Sequence, residues 1–253
     1  MKLKPAAQLY TLRDYMQTPK DIAASLHKVK AMGYDAVQLS GLGAIDSREL
    51  AAILEGEDLF ACVTHTGYAR LNDELPAVIA EHHQWECPNV AIGSMPGEYQ
   101  GDASGYKRFA AWASDIAAKL AEAKLTFSYH NHSFEFVRFG RQTGLEIFYE
   151  QSSPLVLAEI DTYWVQHGGG EPTAWIKRLA GRQVVIHFKD MAMCEGKQVM
   201  APVGEGNLNW PGIIEACNAG GVAWAAVEQD NCYGENPFDC LATSLRNMKE
   251  MGM

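Results

Sequence analysis

Four short apolar runs of this chain end in groups that can carry chemistry. Tyr129-His130-Asn131-His132 continues to Glu135, and Glu159-Ile160-Asp161, His187-Phe188-Lys189-Asp190 and Glu228-Gln229-Asp230 follow. Residues two apart on an extended strand share a face, so Glu159 points with Asp161 and His187 with Lys189, while Ile160 and Phe188 turn the other way. Burying Asp161, His187 and Glu228 together without a counter-ion is costly, and a divalent cation satisfies all three. Mixed carboxylate and imidazole ligands suit one ion of Mn²⁺, Co²⁺, Fe²⁺, Zn²⁺ or Mg²⁺. Singly, each residue has a plainer reading, because a histidine near a strand end is often structural and an aspartate there often caps the next helix. Four such ends in one half of the chain point instead to a metal site.

The elements that must position these groups alternate from one end of the sequence to the other. Strands are expected at 6–10, 36–39, 60–65, 89–92, 125–129, 155–160, 184–188 and 223–227, and amphipathic helices at 21–32, 49–54, 74–85, 106–123, 145–149, 172–179, 210–216 and 237–248. In the first helix Ile22, Leu26, Val29 and Met32 mark one face at steps of three and four, and Gly33 ends it. Eight strand-then-helix units in 253 residues are the pattern of an α/β protein, a (β/α)8 TIM barrel, whose catalytic groups come from the C-terminal ends of its strands. The competing doubly wound sheet would carry a glycine-rich phosphate turn after its first strand, where this chain has Thr11-Leu12-Arg13-Asp14. No linker or repeat divides the chain, so a single domain over 1–253 is expected.

Composition excludes several classes. Apolar residues make up 47% and charged ones 21%, and the net charge is −10 with scattered Lys and Arg, which is globular usage without the basic footprint of a nucleic-acid binder. There is no long uncharged apolar run for a membrane span, and the N-terminal residues lack a secretion signal, so a cytoplasmic protein is expected. The six cysteines, Cys62, Cys87, Cys194, Cys217, Cys232 and Cys240, form no CxxC pair and read as reduced thiols, mostly in the core. His27, His82 and His83 fall in helices and read as surface residues.

Taken together, the segments Gln8-Leu9-Tyr10-Thr11-Leu12-Arg13, Tyr129 to His132 with Phe134-Glu135-Phe136, Glu159 to Trp164, His187 to Asp190 and Pro202 to Trp210 resemble the xylose isomerase-like TIM barrels, over essentially the whole chain. That family includes sugar isomerases, ketose 3-epimerases, inosose dehydratases and apurinic endonucleases. The resemblance implies metal ligands on strands five to eight, with Asp161, His187 and Glu228 matching the last three. The first ligand departs from the family's pattern: Glu-Asn-His of many relatives reads His130-Asn131-His132 here, so His130 coordinates or Glu135 reaches in from the loop. Trp164 likewise stands where epimerases often carry a substrate-binding histidine. Relatives are often dimers or tetramers, so a homo-oligomer is compatible with the family.

The expected chemistry is proton abstraction beside a carbonyl, through an enediolate that the metal stabilises. Glu228 or His132 is the general base, and Lys189 hydrogen-bonds a substrate hydroxyl or opposes a developing oxyanion, unless it is merely ion-paired with Glu159 or Asp190. Gln8, His65, Glu135, Glu159, Trp164 and Glu205 are the candidate substrate-binding residues; Glu159 can equally orient Lys189 or His187, and Trp164 can pack on a sugar ring. The expected partner is an uncharged sugar, keto-sugar or inositol derivative, with neither nucleic acid nor membrane. No glycine-rich helix start follows strand seven or eight to hold a phosphate, although Lys189 and Arg13 leave one open. Two alternatives remain beside the isomerase or epimerase reading. One is a metal-dependent lyase or dehydratase on a keto-sugar or inosose; the other is a sugar-binding barrel without turnover.

Overall fold

Eight parallel strands curl into one sheet in the computed structural model, which describes residues 2–253; Met1 of the expected domain lies outside the described residues. The strands are β1 (Lys4–Gln8), β2 (Ala36–Leu39), β3 (Phe60–His65), β4 (Asn89–Ile92), β5 (Thr126–His130), β6 (Val156–Glu159), β7 (Val185–Phe188) and β8 (Trp224–Val227). Their order around the sheet is β6-β5-β4-β3-β2-β1-β8-β7. The edges β6 and β7 meet through two isolated bridges, Ala158 with Gln183 and Asp161 with His187, which bring the sheet round to a nearly closed barrel. The expected TIM barrel is the fold observed.

Helices α1 (Pro19–Met32), α2 (Ser47–Gly56), α3 (Leu75–Gln84), α4 (Ala103–Glu122), α5 (Gly144–Gln151), α6 (Pro172–Arg178), α7 (Trp210–Gly220) and α8 (Pro237–Glu250) surround the sheet. The first shows why the chain stops and starts where it does. The Thr18 hydroxyl accepts from the Asp21 amide, Pro19 opens the helix, Ile22, Leu26 and Val29 are buried, and Gly33 ends it at φ 99°.

Inside the barrel, small side chains form one layer and polar ones the next. Ala6, Ala36, Val185 and Ala226 belong to an inner apolar cluster, and two residues further along the same strands, on the same face, stand Gln8, Gln38, His187 and Glu228. The polar layer therefore sits at the C-terminal mouth.

Strand ends differ from the sequence expectation by one or two residues. Elements not expected from periodicity include a 3-10 turn at Leu9–Tyr15, short helices at Tyr68–Asp73 and Thr162–His167, and a hairpin pairing Asp190–Cys194 with Lys197–Ala201. His82 is not a surface residue. It is 1% exposed, bonded to the Thr64 hydroxyl at 2.8 Å and to the Val78 carbonyl at 2.7 Å, while His27 and His83 are exposed. Cys62, Cys87, Cys217 and Cys240 are buried, and all six thiols are free. No helix among the described residues is long and apolar enough to cross a membrane.

Candidate active site

His130, Asp161, His187 and Glu228 come together at the mouth, each offering one ligand atom within 4.8 Å of the other three. All are buried, with Glu228 the most exposed at 5%. Nε2 of His130 is 3.3 Å from Oδ2 of Asp161, and Nδ1 of His187 is 3.0 Å from Oε2 of Glu228 and 3.7 Å from Oδ2 of Asp161.

In each of the four, the atom not turned inward is held from outside the cluster. Nδ1 of His130 donates to the Gly93 carbonyl at 3.0 Å. Nε2 of His187 donates to Oε1 of Gln38 at 2.8 Å, since the amide nitrogen of Gln38 is itself donating to Glu159 at 3.0 Å. Oδ1 of Asp161 accepts from the Trp164 amide at 2.8 Å, and Oε1 of Glu228 accepts from Nε2 of Gln8 at 2.7 Å. These outer bonds orient both imidazoles so that, when neutral, each presents a lone pair to the centre. Such outer partners are what a metal site requires to fix its ligands. The donor set therefore fits a divalent cation.

Glu159 lies beneath the quartet, fully buried, with Oε2 at 2.8 Å from Nε2 of His65 and Oε1 at 3.4 Å from Nε2 of His187. Burial pushes its carboxyl up, but His187 and His65 overcome that and hold it ionised, well below the ordinary range. Asp161 is held low in the same way, by Lys189 and His130 against its burial. For His187, burial acts downward and the carboxylates of Glu159 and Glu228 win, raising it well above an ordinary imidazole.

Lys189 is not paired with Glu159 or Asp190. Its ammonium, 1% exposed, is 2.7 Å from Asp230, 3.1 Å from Glu228 and 3.6 Å from Asp161, under the Trp164 ring at 5.0 Å. Burial lowers its pKa, and Glu228 and Asp161 more than reverse this, so it stays charged. Asp190 is a separate anchor. Its carboxylate accepts from the amides of Gly204 and Gly206 at 2.8 and 3.0 Å and from the Trp210 indole at 2.7 Å, tying down the loop after the hairpin.

Above the cluster opens a cleft of about 320 Å³ whose walls include His65, His130, His132, Lys189, Glu228 and Asp230. Gln8, Glu159, Asp161 and His187 form the layer below it, each 0% exposed. His132 faces the cleft, and its Nδ1 has no hydrogen-bond partner among the described residues. Burial, with His130 beside it, lowers this imidazole to about 3, leaving a neutral, weakly basic ring at pH 7. Trp164 stands beside His132 at 5.4 Å and covers Lys189 instead of lining the cleft wall.

Two expected site residues lie elsewhere. Glu135 is 0% exposed, and both its oxygens are engaged, one by the Tyr129 hydroxyl and the other by the His132 amide at 2.9 Å. It braces the loop that carries His132, so His130 and not Glu135 joins the cluster, and no oxygen of Glu135 is free for substrate. Burial raises its carboxyl to about 7, against the Tyr129 bond. Glu205 is exposed and accepts from Asn247 on α8 at 2.9 Å, away from the cleft lining; the hairpin ahead of it redirects the loop.

Sequence reasoning missed Gln38, Gly93 and Asn131. A glutamine inside the otherwise apolar Ala36–Leu39 was a usable signal; it pairs in register with Gln8. Gly93 permits close approach, since a Cβ there would fall 2.9 Å from Nδ1 of His65. Asn131, fully buried, accepts from the Asp161 amide at 3.1 Å.

A model of the xylose isomerase-like TIM barrel family matches residues 26–251. Among solved structures, a sugar phosphate isomerase/epimerase from Parabacteroides distasonis ATCC 8503 superposes with a TM-score of 0.82 at 20% identity, covering 98% of each chain. A probable 3-DHS dehydratase involved in petrobactin synthesis from Bacillus anthracis gives 0.76 at 13% identity over 98% of this chain and 99% of that one. An L-ribulose 3-epimerase gives 0.73 at 15% identity over 99% and 94%. No curated protein matches the chain. At these identities the structural likenesses speak for the fold, and the family match covers most of the sequence: the chain belongs to the xylose isomerase-like TIM barrel family.

Proposed function

We propose that this chain is a divalent-metal-dependent isomerase or epimerase that removes and returns a proton beside the carbonyl of a small sugar, keto-sugar or inositol derivative. The observation that carries the reading is the quartet His130, Asp161, His187 and Glu228, with each ligand's second polar atom fixed by Gly93, Trp164, Gln38 or Gln8. A cation held there supplies Lewis acidity, drawing charge from the carbonyl and its neighbouring hydroxyl so that the adjacent C–H proton is easier to remove.

The rest falls to the protein. Glu228, held ionised by Lys189 and His187 against its burial, faces the cleft and is the group assigned to move the proton. Lys189, charged and fixed by three carboxylates, opposes negative charge that develops on the substrate oxygen. His132, neutral at working pH, hydrogen-bonds a substrate hydroxyl, and His65, oriented by Glu159, does the same from the end of β3.

One feature favours elimination as a second reading. Inverting a carbon takes a proton-transferring group on each of its faces; here the carboxylates that line the cleft, Glu228 and Asp230, are neighbours on one wall, and a lyase needs only one face.

Elemental analysis of wild type beside Asp161→Ala, each dialysed after metal loading, tests the site. About one metal per chain, lost in the variant, is expected for four converging ligands. Solvent deuterium incorporated into a ketose or inosose by the loaded protein then supports proton abstraction. Absence of metal in wild type overturns the reading in favour of a barrel that binds sugars without turnover.

A further inference from the structure

We propose that Arg13 is the anion-recognising residue of the cleft, so that the substrate carries a phosphate or carboxylate at the end remote from its reacting carbon. The inference rests on the sugar-enzyme reading above and narrows its substrate class.

Two permanent cations line the cleft, and the protein treats them differently. Lys189 is ringed by Asp161, Glu228 and Asp230. Arg13 meets no carboxylate within 4.0 Å among the described residues; Nη1 donates to the Tyr10 carbonyl at 2.9 Å and Nη2 to the Asp230 carbonyl at 3.0 Å. A guanidinium has five N–H donors and does not lose its charge in proteins, so part of the fork and all of the charge remain available.

Its position is built rather than incidental. The guanidinium lies over the Tyr10 ring, 4.4 Å from its centroid, a cation–π contact that helps to hold it in place. Across from the pair, Gly41 adopts φ +72°, and a Cβ there would fall 2.9 Å from Cδ2 of Tyr10 and 3.1 Å from Cβ of Arg13. The loop after β2 thus closes on the stack at a residue without a side chain. The Asp230 carbonyl links the fork to the residue whose carboxylate grips Lys189, so the reacting end and the rim are one connected structure.

Planar two-pronged donors match phosphate and carboxylate alike. Ribitol, ribitol 5-phosphate and ribonate separate the two sources from each other and from a neutral ligand. None of them has a ketone, so calorimetric binding reads recognition without turnover.

For wild type, one of the anionic compounds is expected to bind about 10- to 100-fold more tightly than ribitol, and the better one identifies the group. In Arg13→Gln that preference should fall below about threefold, with a melting temperature within about 2 °C of wild type, and Arg13→Lys should recover part of it. In wild type alone, raising salt from about 0.05 to 0.5 M should shrink the preference, because the rim is solvent-exposed. Equal binding of neutral and anionic compounds, no binding of any of them, or a preference that survives Arg13→Gln overturns the proposal and leaves Arg13 as a loop fastener. Deuterium exchange into neutral ketoses without any anion preference would refute this inference and spare the enzyme reading; anion preference without exchange would do the reverse.

Discussion

The two halves of the barrel mouth contribute different kinds of group. Strands β5 to β8 and the residues just past them bring the charge: His130, Asp161, His187, Lys189 and Glu228. Strands β1 to β4 bring mostly neutral brackets: Gln8, Gln38 and the Gly93 carbonyl, with His65 as their imidazole. The difference teaches how a buried polar cluster can be steered without adding to its charge. An amide side chain donates with one end and accepts with the other, so Gln38 connects Glu159 to His187 and fixes both orientations at no electrostatic cost.

Breaking the charged half should have the largest effect. Glu228→Gln keeps the shape but removes a ligand and the proposed base, and turnover is expected to fall about 10³- to 10⁴-fold in steady-state assays on an exchanging substrate. Breaking the neutral half tests whether it is more than packing: Gln8→Leu and Gln38→Leu should each weaken metal affinity about 10- to 100-fold by competition titration. Affinity unchanged in both would reduce the first four strands to a container.

Glu135→Gln sharpens the boundary of the charged half. With its carboxyl raised to about 7, Glu135 favours folding in its protonated form; that stability is complete below the unfolded carboxyl pKa and is lost as pH rises through about 7. The amide stays neutral, so chemical denaturation should show the variant gaining on wild type by about 3 kcal/mol between pH 4 and pH 9, order-of-magnitude. Smallest of all, Glu205→Ala should leave metal content unchanged and stability within about 0.5 kcal/mol, because its partner is Asn247 on α8, away from the cleft.

The same comparison explains what the sequence could reveal. The charged half was legible because its ligands sit at strand ends, where a period of two and a shared face are local properties: Glu159 with Asp161 and His187 with Lys189 need no knowledge of distant chain. The eight-fold alternation gave the barrel for the same reason. The neutral half was only partly legible. Gln38 meets His187 across 149 positions of sequence, and nothing near residue 38 announces that contact. Loop residues were harder still: Glu135 lies five positions past His130, yet the short turn Phe134–Phe136 folds its carboxyl back under Tyr129. Glu205 was misplaced because the hairpin Asp190–Cys194 with Lys197–Ala201 intervenes, its tight turn at Glu195 and Gly196 having positive φ of 49° and 76°.

The seam between β6 and β7 carries a consequence for how the barrel breathes. Two bridges hold it among the described residues, and Asp161 and His187 are the partners in one of them. An ion gripped by the proposed quartet would therefore also rivet the two sheet edges together, making chelation and local opening a single linked equilibrium. Amide hydrogen exchange would register it as faster exchange on metal removal at the two amides crossing the seam, Ala158 to the Arg182 carbonyl and His187 to the Ile160 carbonyl, while the β1–β2 ladder on the far side keeps its protection.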